Sequence, residues 1–170
     1  MQSFIFIGYR GTGKTTVAQK LADQLEISAF DSDVEIERQA GKNIAEIFAQ
    51  DGEPAFRDLE EAVIAEILAR PTPLALATGG GAILRDNTRK LLRQAGRVIW
   101  LTATPETILH RITHDAASKT MRPNLTSLPM RDEIVALLEQ RIPLYAETAH
   151  EIIATDSLTI DEIVSIVKRR

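Results

Sequence analysis

The sequence contains no cysteine among its 170 residues. This absence excludes a disulfide framework, a thiolate metal site and a cysteine nucleophile. Aromatic residues contribute only 5% and the net charge is −4, so the composition argues against a protein whose main partner is nucleic acid. No apolar run approaches the roughly 18 residues of a membrane span, and the first residues carry no leader pattern. We therefore expect a cytoplasmic protein with no nucleic-acid or membrane partner.

Short apolar runs alternate with segments of helical period along the whole chain. The runs fall at residues 4–7, 28–30, 74–77, 98–101 and 150–154. A chain of 170 residues without repeats is expected to form a single domain, large enough to bury about 70% of its unfolded surface. The alternation predicts a three-layer α/β domain around a mostly parallel sheet of about five strands.

The segment 8–16, GYRGTGKTT, fits the phosphate-binding pattern G-x-x-x-x-G-K-[ST] at every defined position. It follows the apolar run 4–7 and precedes a helical period that begins at the lysine. In such loops, backbone N–H groups and a helix N-terminus hold polyphosphate. Lys14 would reach the β- and γ-phosphates, and Thr15 would coordinate magnesium. The alternative is a glycine turn that only joins strand to helix.

Two carboxylates, Asp31 and Asp33, follow the second predicted strand. If the extended backbone continued through them, both side chains would point the same way, into the edge where parallel sheets bind ligands. One could then hold magnesium through water while the other accepts a hydrogen bond from a substrate hydroxyl. The alternative is that Ser32 or Asp33 caps a helix predicted over 34–39.

Two further patterns have both a structural and a functional interpretation. Arg57 and Glu60 are three residues apart on a predicted helix, so they form either a weak surface ion pair or a carboxylate-binding fork steadied by the glutamate. The run Gly79-Gly80-Gly81 predicts a backbone with positive φ or the close approach of a ligand, with a plain flexible turn as the alternative.

The apolar period disappears between residues 113 and 129, where Lys119, Arg122 and two prolines occur. Such a segment is either a lid that brings Arg122 to a γ-phosphate or an ordinary loop.

The helices predicted on either side of the run at 98–101 cover residues 83–95 and 104–111. A longer helix is predicted over 131–148, with four apolar residues facing inward: Ile134, Leu137, Leu138 and Ile142. The histidines, His110, His114 and His150, lack metal-ligand spacing and are interpreted as surface or structural residues.

Taken together, these features resemble the shikimate kinase family over nearly the whole chain. The matching motifs are the loop 8–16, the acidic pair in residues 31–34, Gly52-Glu53 with Phe56-Arg57 and Glu60, Gly79-Gly80-Gly81, Arg122-Pro123, and Arg141 ahead of Pro143-Leu144-Tyr145. The resemblance implies a P-loop NTPase fold of the nucleoside-monophosphate-kinase-like branch, with strand order 2-3-1-4-5. It also implies a single kinase domain, 1–170, in which 32–60 is the substrate-binding region and 113–130 is the lid.

The same resemblance implies a role for each matching residue. Lys14, Asp33 and Arg122 would be catalytic, with Asp33 binding the ring hydroxyls of shikimate. Arg57 and Arg141 would clamp its carboxylate, and the Gly80 backbone would contact the hydroxyl side of the ring. Gly79 and Gly81 would complete the substrate-binding residues. ATP would contact Gly11, Thr12, Gly13, Lys14, Thr15, Thr16, Arg111 and Arg122, with Arg111 stacked on adenine. Thr15 directly, and Asp31 through water, would hold Mg²⁺.

The implied reaction is phosphoryl transfer from MgATP to the 3-hydroxyl of shikimate, a step of chorismate and aromatic amino acid biosynthesis. The expected partners are ATP and shikimate, and the expected state is a monomer. Two departures stand out. The lid segment before Arg122 is a few residues longer than usual, and Pro123-Asn124-Leu125 stands where the family commonly has two leucines after proline. Residues 155–159 lack the basic residue and proline that relatives often place near adenine. A gluconate kinase is the closest rival, and a nucleotide-binding regulatory module without catalysis is a second alternative.

Overall fold

The computed structural model describes residues 2–71, 73–114 and 128–169. The strands are β1 (Ser3–Ile7), β2 (Ser28–Asp31), β3 (Leu74–Ala77), β4 (Gly96–Thr102) and β5 (Glu151–Ala154). The helices are α1 (Lys14–Leu25), α2 (Ser32–Ala40), α3 (Ile44–Gln50), α4 (Gly52–Leu68), α5 (Asp86–Ala95), α6 (Pro105–His114), α7 (Met130–Thr148) and α8 (Ile160–Arg169), with a 3₁₀ turn at Ala82–Leu84.

All five strands join one parallel sheet in the order β2-β3-β1-β4-β5. The predicted α/β class and strand order are therefore confirmed. In the centre of the sheet, Ile5 of β1 lies between Leu76 of β3 and Val98 of β4. Because the strands are parallel, their carboxyl ends meet at one edge, and this edge carries the site described below.

The central strand β1 is buried along its whole length because helices cover both faces of the sheet. Phe4 and Phe6 face the layer formed by α1 and α8, whereas Ile5 and Ile7 face the layer that contains α2 to α5. Burying one such side chain stabilises the fold by about 1.5–3 kcal/mol. The continuous apolar run at 4–7 thus follows from the three-layer arrangement.

The helix predicted over 83–95 is wrong at its start. Residues 82–84 form the 3₁₀ turn, Arg85 is extended, and α5 begins at Asp86. Arg89 Nη1 donates to the Ile83 carbonyl at 2.9 Å, which gives this carbonyl a partner outside a continuous helix. β4 also begins earlier than predicted, at Gly96, whose backbone packs so closely against Ser3 of β1 that a side chain would clash.

The inward face of α7 also differs from the prediction. Ile142 is 44% exposed, whereas Glu133 and Arg141 are buried. The spacing of apolar residues predicted that Ile142 faces inward, and this prediction is wrong. The inward side of the helix carries polar groups that line the site. Tyr145 is buried on the same helix. Among the described residues, no helix combines the length and apolar character needed to cross a membrane.

Candidate active site

The phosphate loop, residues 8–13, connects β1 to α1 at the carboxyl edge of the sheet. Gly11 and Gly13 have φ values of 79° and 91°, a conformation that favours glycine. Helix α1 begins at Lys14, as the motif predicts, and its first turn contains no acidic residue. The helix N-terminus therefore adds an uncompensated partial positive charge to the N–H groups of the loop.

Two side chains of the loop converge on the Tyr9 carbonyl. Lys14 Nζ and Thr12 Oγ1 each donate a hydrogen bond to this oxygen at 2.8 Å. Both residues are buried, so the loop is closed and held in shape by its own side chains. Thr16 lies in the first turn of α1 and is exposed.

Thr15 and Asp31, the two predicted magnesium ligands, are in direct contact. Thr15 Oγ1 donates to Asp31 Oδ2 at 2.6 Å, while Oδ1 of Asp31 accepts from the backbone N–H of Asp33 at 2.9 Å and of Val34 at 3.4 Å. Asp31 is thus the N-cap of α2. The alternative that Ser32 or Asp33 caps this helix is wrong, and so is the extended backbone through Asp33, because the helix already begins at Ser32.

Burial raises the pKa of Asp31, and the nearby charge of Asp33 raises it further, although the hydrogen bonds from Thr15 and the backbone oppose the shift. A cation at this point would relieve the repulsion between the two carboxylates. A hydroxyl and carboxylates are oxygen ligands of the kind that Mg²⁺ prefers, so these residues fit the ion. The described residues contain no group of three or more acidic or histidine side chains arranged to hold a metal alone. Phosphate oxygens and water would complete the coordination.

Arg57 and Glu60 form a buried ion pair on α4. Arg57 Nη1 lies 2.5 Å from Glu60 Oε2, and the two residues are only 7% and 2% exposed. The weak surface pair considered from the sequence is therefore wrong. Glu53, one turn earlier, makes a second contact of 3.3 Å with Nη2. Two carboxylates hold the guanidinium in a defined orientation.

The glycine run packs directly against this guanidinium. A side-chain carbon at Gly81 would lie 2.7 Å from Cζ of Arg57, so only glycine leaves room for the arginine. The prediction of positive φ is wrong for all three glycines, and Gly81 has a φ of −100°. The close approach of a ligand stays a prediction, and the group that packs against Gly81 in the structure is the side chain of Arg57. The rest of the run is fixed by hydrogen bonds: Gly79 N–H donates to Ser32 Oγ, and the Tyr145 hydroxyl donates to the Gly80 carbonyl.

The glycine run also touches the phosphate loop. A side-chain carbon at Gly80 would meet the carbonyl oxygen of Gly8 at 3.4 Å and the backbone nitrogen of Arg10 at 3.5 Å. The predicted phosphate site and the predicted acid site are therefore neighbours across the edge of the sheet. This proximity is what a direct transfer between two bound substrates requires.

Arg141 of α7 is 6% exposed, and its Cζ lies 5.8 Å from the centroid of the Tyr9 ring. Within the described part of the chain it has no hydrogen bond or ion pair. A buried guanidinium without a counter-ion is costly, and a bound anion would compensate it. We call Arg57, Glu60, Gly79–Gly81 and Arg141 the acid socket.

A cavity of about 530 Å³ borders the phosphate loop. Gly11 and Gly13 line one wall, while Arg111 of α6, Thr155 and residues 158–160 line the others. Arg111 is held by its Nη2 donating to the Thr155 carbonyl and its Nη1 donating to the Thr155 hydroxyl, both at 2.9 Å. The cavity is large enough for a purine base and borders the phosphate loop, which is compatible with the predicted contact between Arg111 and adenine.

The comparisons with known proteins identify the family. A family model described as shikimate kinase matches residues 10–170. The chain belongs to the shikimate kinase family. A shikimate kinase of Rhodopirellula baltica is 41% identical over 98% of the chain and 88% of its own length. A shikimate kinase from Acinetobacter baumannii, solved in complex with shikimate, is 36% identical with a TM-score of 0.92, covering 99% of the chain and 92% of that structure.

A gluconokinase from Sinorhizobium meliloti is also similar in structure, with a TM-score of 0.59 over 96% of the chain and 87% of that structure. Its identity is 18%, so this likeness shows a shared fold alone. Membership of the shikimate kinase family makes the chain a kinase of the ATP-dependent, P-loop type. The rival interpretation as a gluconate kinase is therefore supported at the level of fold only.

Several groups of this shikimate kinase site were missed from the sequence. Tyr145 and Glu133 are buried with Arg141 on one side of α7, at spacings of four and eight residues that bring side chains to the same helix face. A polar residue repeated at helical spacing among apolar ones was the available signal. Thr155, the partner of Arg111, carried no such signal. Arg122, Lys119 and most of the predicted lid lie outside the described residues.

Proposed function

We propose that this protein transfers the γ-phosphate of ATP to the 3-hydroxyl of shikimate, giving shikimate 3-phosphate and ADP. The observation that carries the proposal is the buried Arg141, which has no counter-ion among the described residues and lies against Tyr9 of the phosphate loop. A carboxylate at Arg141 and Arg57 would supply the missing negative charge. It would also hold a ring acid beside the loop that binds the phosphates.

On the donor side, the N–H groups of the loop and of α1 would bind the β- and γ-phosphates. Lys14 lies inside the loop, and its ammonium would exchange the Tyr9 carbonyl for phosphate oxygens. Arg111 would contact the base in the cavity beside Thr155. Arg122 is assigned to the transferring phosphoryl group on the basis of the sequence and the family resemblance.

On the acceptor side, Asp33 is half-buried and lies near Asp31, at the start of α2. It would accept a hydrogen bond from the attacking hydroxyl and orient the oxygen toward the phosphates. A loose transition state makes little demand for early deprotonation, so orientation is the main task of this carboxylate. An Asp33→Asn variant that kept near-normal turnover would exclude an essential base.

Mg²⁺, when bound, would neutralise negative charge that develops on the phosphates during the transfer. Thr15 and Asp31 are the residues that would hold it, Asp31 through water. In the structure these two residues are in contact, so a hydroxyl and a carboxylate lie together next to the phosphate loop.

The decisive experiment measures ADP release by the purified protein with MgATP and a panel of acceptors. Shikimate should support turnover, whereas gluconate and nucleoside monophosphates should not. Two-dimensional phosphorus–proton NMR of the product should place the new phosphate on C3. Turnover with gluconate but not with shikimate would replace the proposal by the rival kinase activity, and no turnover with any acceptor would favour the regulatory module.

Three further predictions belong to this proposal. The chain would act as one kinase domain, with residues 32–60 as the acceptor region and 113–130 as the lid. It would be a monomer, which sedimentation of the purified protein can test. It would act in the cytoplasm, where its two substrates would have to be available.

A further inference from the structure

Arg10 is a charged residue of the phosphate loop to which the motif assigns no role. It occupies one of the variable positions of the phosphate-binding pattern. Its side chain leaves the loop toward α7, where Nη2 lies 3.6 Å from Oε1 of Glu133. The Glu133 side chain is only 1% exposed and that of Arg10 is 19% exposed. An ion pair therefore joins the loop to the helix that carries Arg141.

The hydrogen bonding of Arg10 is incomplete. Nη2 is buried and has no hydrogen-bond partner in the described part of the chain, and 3.6 Å is too long for a hydrogen bond to the carboxylate. Leaving a buried donor of a charged group without an acceptor is costly. A ligand that places a hydrogen-bond acceptor beside Arg10 Nη2 would remove this energetic cost.

The surroundings of Arg10 belong to the acid socket. Its backbone nitrogen packs against Gly80. Burial raises the pKa of the Tyr9 phenol, and the positive charge of Arg10 lies near enough to this phenol to oppose the rise. The ring of the same tyrosine contacts Arg141. Arg10 and Arg141 thus approach one tyrosine from two different elements, the phosphate loop and α7.

The charges around Tyr9 are unequal. Among the residues that the structure describes, two guanidinium groups, Arg10 and Arg141, and one carboxylate, Glu133, lie near this tyrosine. The third arginine of the neighbourhood, Arg57, already has Glu60 and Glu53. The excess positive charge therefore lies on the Arg10 and Arg141 side of the socket.

We propose that Arg10 is a third guanidinium of the acid socket, which binds the carboxylate of the acceptor together with Arg141, and that Glu133 is the positioning residue that holds Arg10 in place. The inference rests on the proposed function, because shikimate supplies the carboxylate. It gives the phosphate loop a residue, Arg10, that binds the carboxylate of the acceptor. The loop would then contact both substrates, polyphosphate through its backbone and the acid through this side chain.

The first test is Arg10→Met, which keeps the length of the side chain and removes its charge. The KM for shikimate should rise about tenfold or more, as expected for one lost charge-assisted hydrogen bond, while the KM for ATP changes less than about twofold. The matched control is Arg131→Met, which breaks an exposed ion pair at 2.7 Å between Arg131 of α7 and Glu106 of α6. A shikimate KM equal to that of the control would overturn the inference.

The second test asks which group of the acceptor Arg10 contacts. With shikimate methyl ester, which has no carboxylate charge, Arg10→Met and the unmodified protein should have similar KM values. A tenfold difference that persists with the ester would mean that Arg10 acts elsewhere, for example on the transferred phosphoryl group. If the unmodified protein does not phosphorylate shikimate, the proposed function fails; if it does and Arg10→Met is silent, only this inference fails.

The role of Glu133 is tested by a double-mutant cycle. Glu133→Gln should raise the shikimate KM about threefold, and the double variant with Arg10→Met should be no worse than Arg10→Met alone. Glu133→Asp, which keeps the charge, should recover part of the affinity. Additive effects, or a loss of thermal stability in Glu133→Gln with no change in KM, would reduce Glu133 to a purely structural residue.

Discussion

The phosphate loop and the acid socket lie side by side, yet they are assembled from contacts of very different range. Thr12 and Lys14 bond to Tyr9 across three and five residues. In and around the socket, the hydrogen bond of Gly79 spans 47 residues and that of Gly80 spans 65. The loop therefore takes its shape from its own sequence, whereas the socket exists only when α2, α4 and α7 pack together.

The two regions also differ in how they would bind an anion. The loop offers backbone N–H groups and a helix N-terminus, which any phosphate of suitable shape can use. The socket offers guanidinium groups in a buried setting, where a charge without a counter-ion is costly. A general phosphate cradle and a selective acid site thus share one edge of the sheet, and mutations in the two regions should change different kinetic constants.

The largest effect is expected for Lys14→Met in the loop. Removing this ammonium eliminates a charge aimed at the transferring phosphoryl group, so kcat should fall by about 10²–10³. The KM for shikimate should change much less, because Lys14 lies in the loop and not in the socket. Steady-state kinetics by coupled ADP release would show this split, and a normal kcat would remove Lys14 from the mechanism.

A large effect on the socket is expected for Arg57→Lys. An ammonium cannot reproduce the two-pronged contact of a guanidinium, and it would also lose the short contact between Arg57 Nη1 and the buried Glu60. The KM for shikimate should rise by about ten- to a hundredfold, with little change in the KM for ATP. Direct titration with shikimate provides the measurement, and an unchanged affinity would refute the carboxylate assignment.

Gly81→Ala sharpens the comparison without removing any charge. The new methyl group would occupy space taken by the Arg57 guanidinium, so the arginine must move and shikimate affinity should fall several-fold. The matched control is Gly41→Ala, where φ is 67° and no other atom lies within 4 Å of the new carbon. The control should lose about 1 kcal/mol of stability through backbone strain and keep its affinity for shikimate. Equal affinities in both variants would show that Arg57 has room to adapt.

The smallest effect is expected for Asp31→Asn, and it should depend on pH. Because the pKa of Asp31 is raised in the folded state, the free energy of unfolding falls as pH rises through that pKa, and the charged form is the costly one. Asparagine can still cap α2, so the variant without substrates should melt about 2–4 °C higher at pH 7.

This gain in Tm should shrink as the pH falls toward the ordinary aspartate range, because Asp31 itself is then protonated. Thermal melts of both proteins at several pH values would reveal the trend. Turnover should decrease at the same time if Asp31 holds magnesium through water, as proposed. A variant that is less stable than the unmodified protein at pH 7 would contradict the assignment of Asp31 as a costly buried charge.

The sequence by itself determined the alternation of strands and helices, the class of fold and the phosphate loop. These features depend on local properties: apolar runs mark buried strands, and the glycine and lysine spacing of residues 8–16 acts through neighbouring atoms. The capping box at Thr159 and Glu162 was predictable for the same reason, and it is present at the start of α8.

Only the tertiary structure decided which of several local possibilities occurs in the site. Asp31, and not Ser32 or Asp33, caps α2; Gly81 leaves room for Arg57; and Ile142 faces outward because the inward side of α7 carries Glu133 and Arg141. Each outcome depends on atoms that are distant in sequence and meet only after folding. Periodicity and spacing describe a segment with its neighbours, whereas burial and charge pairing depend on every element that packs against it.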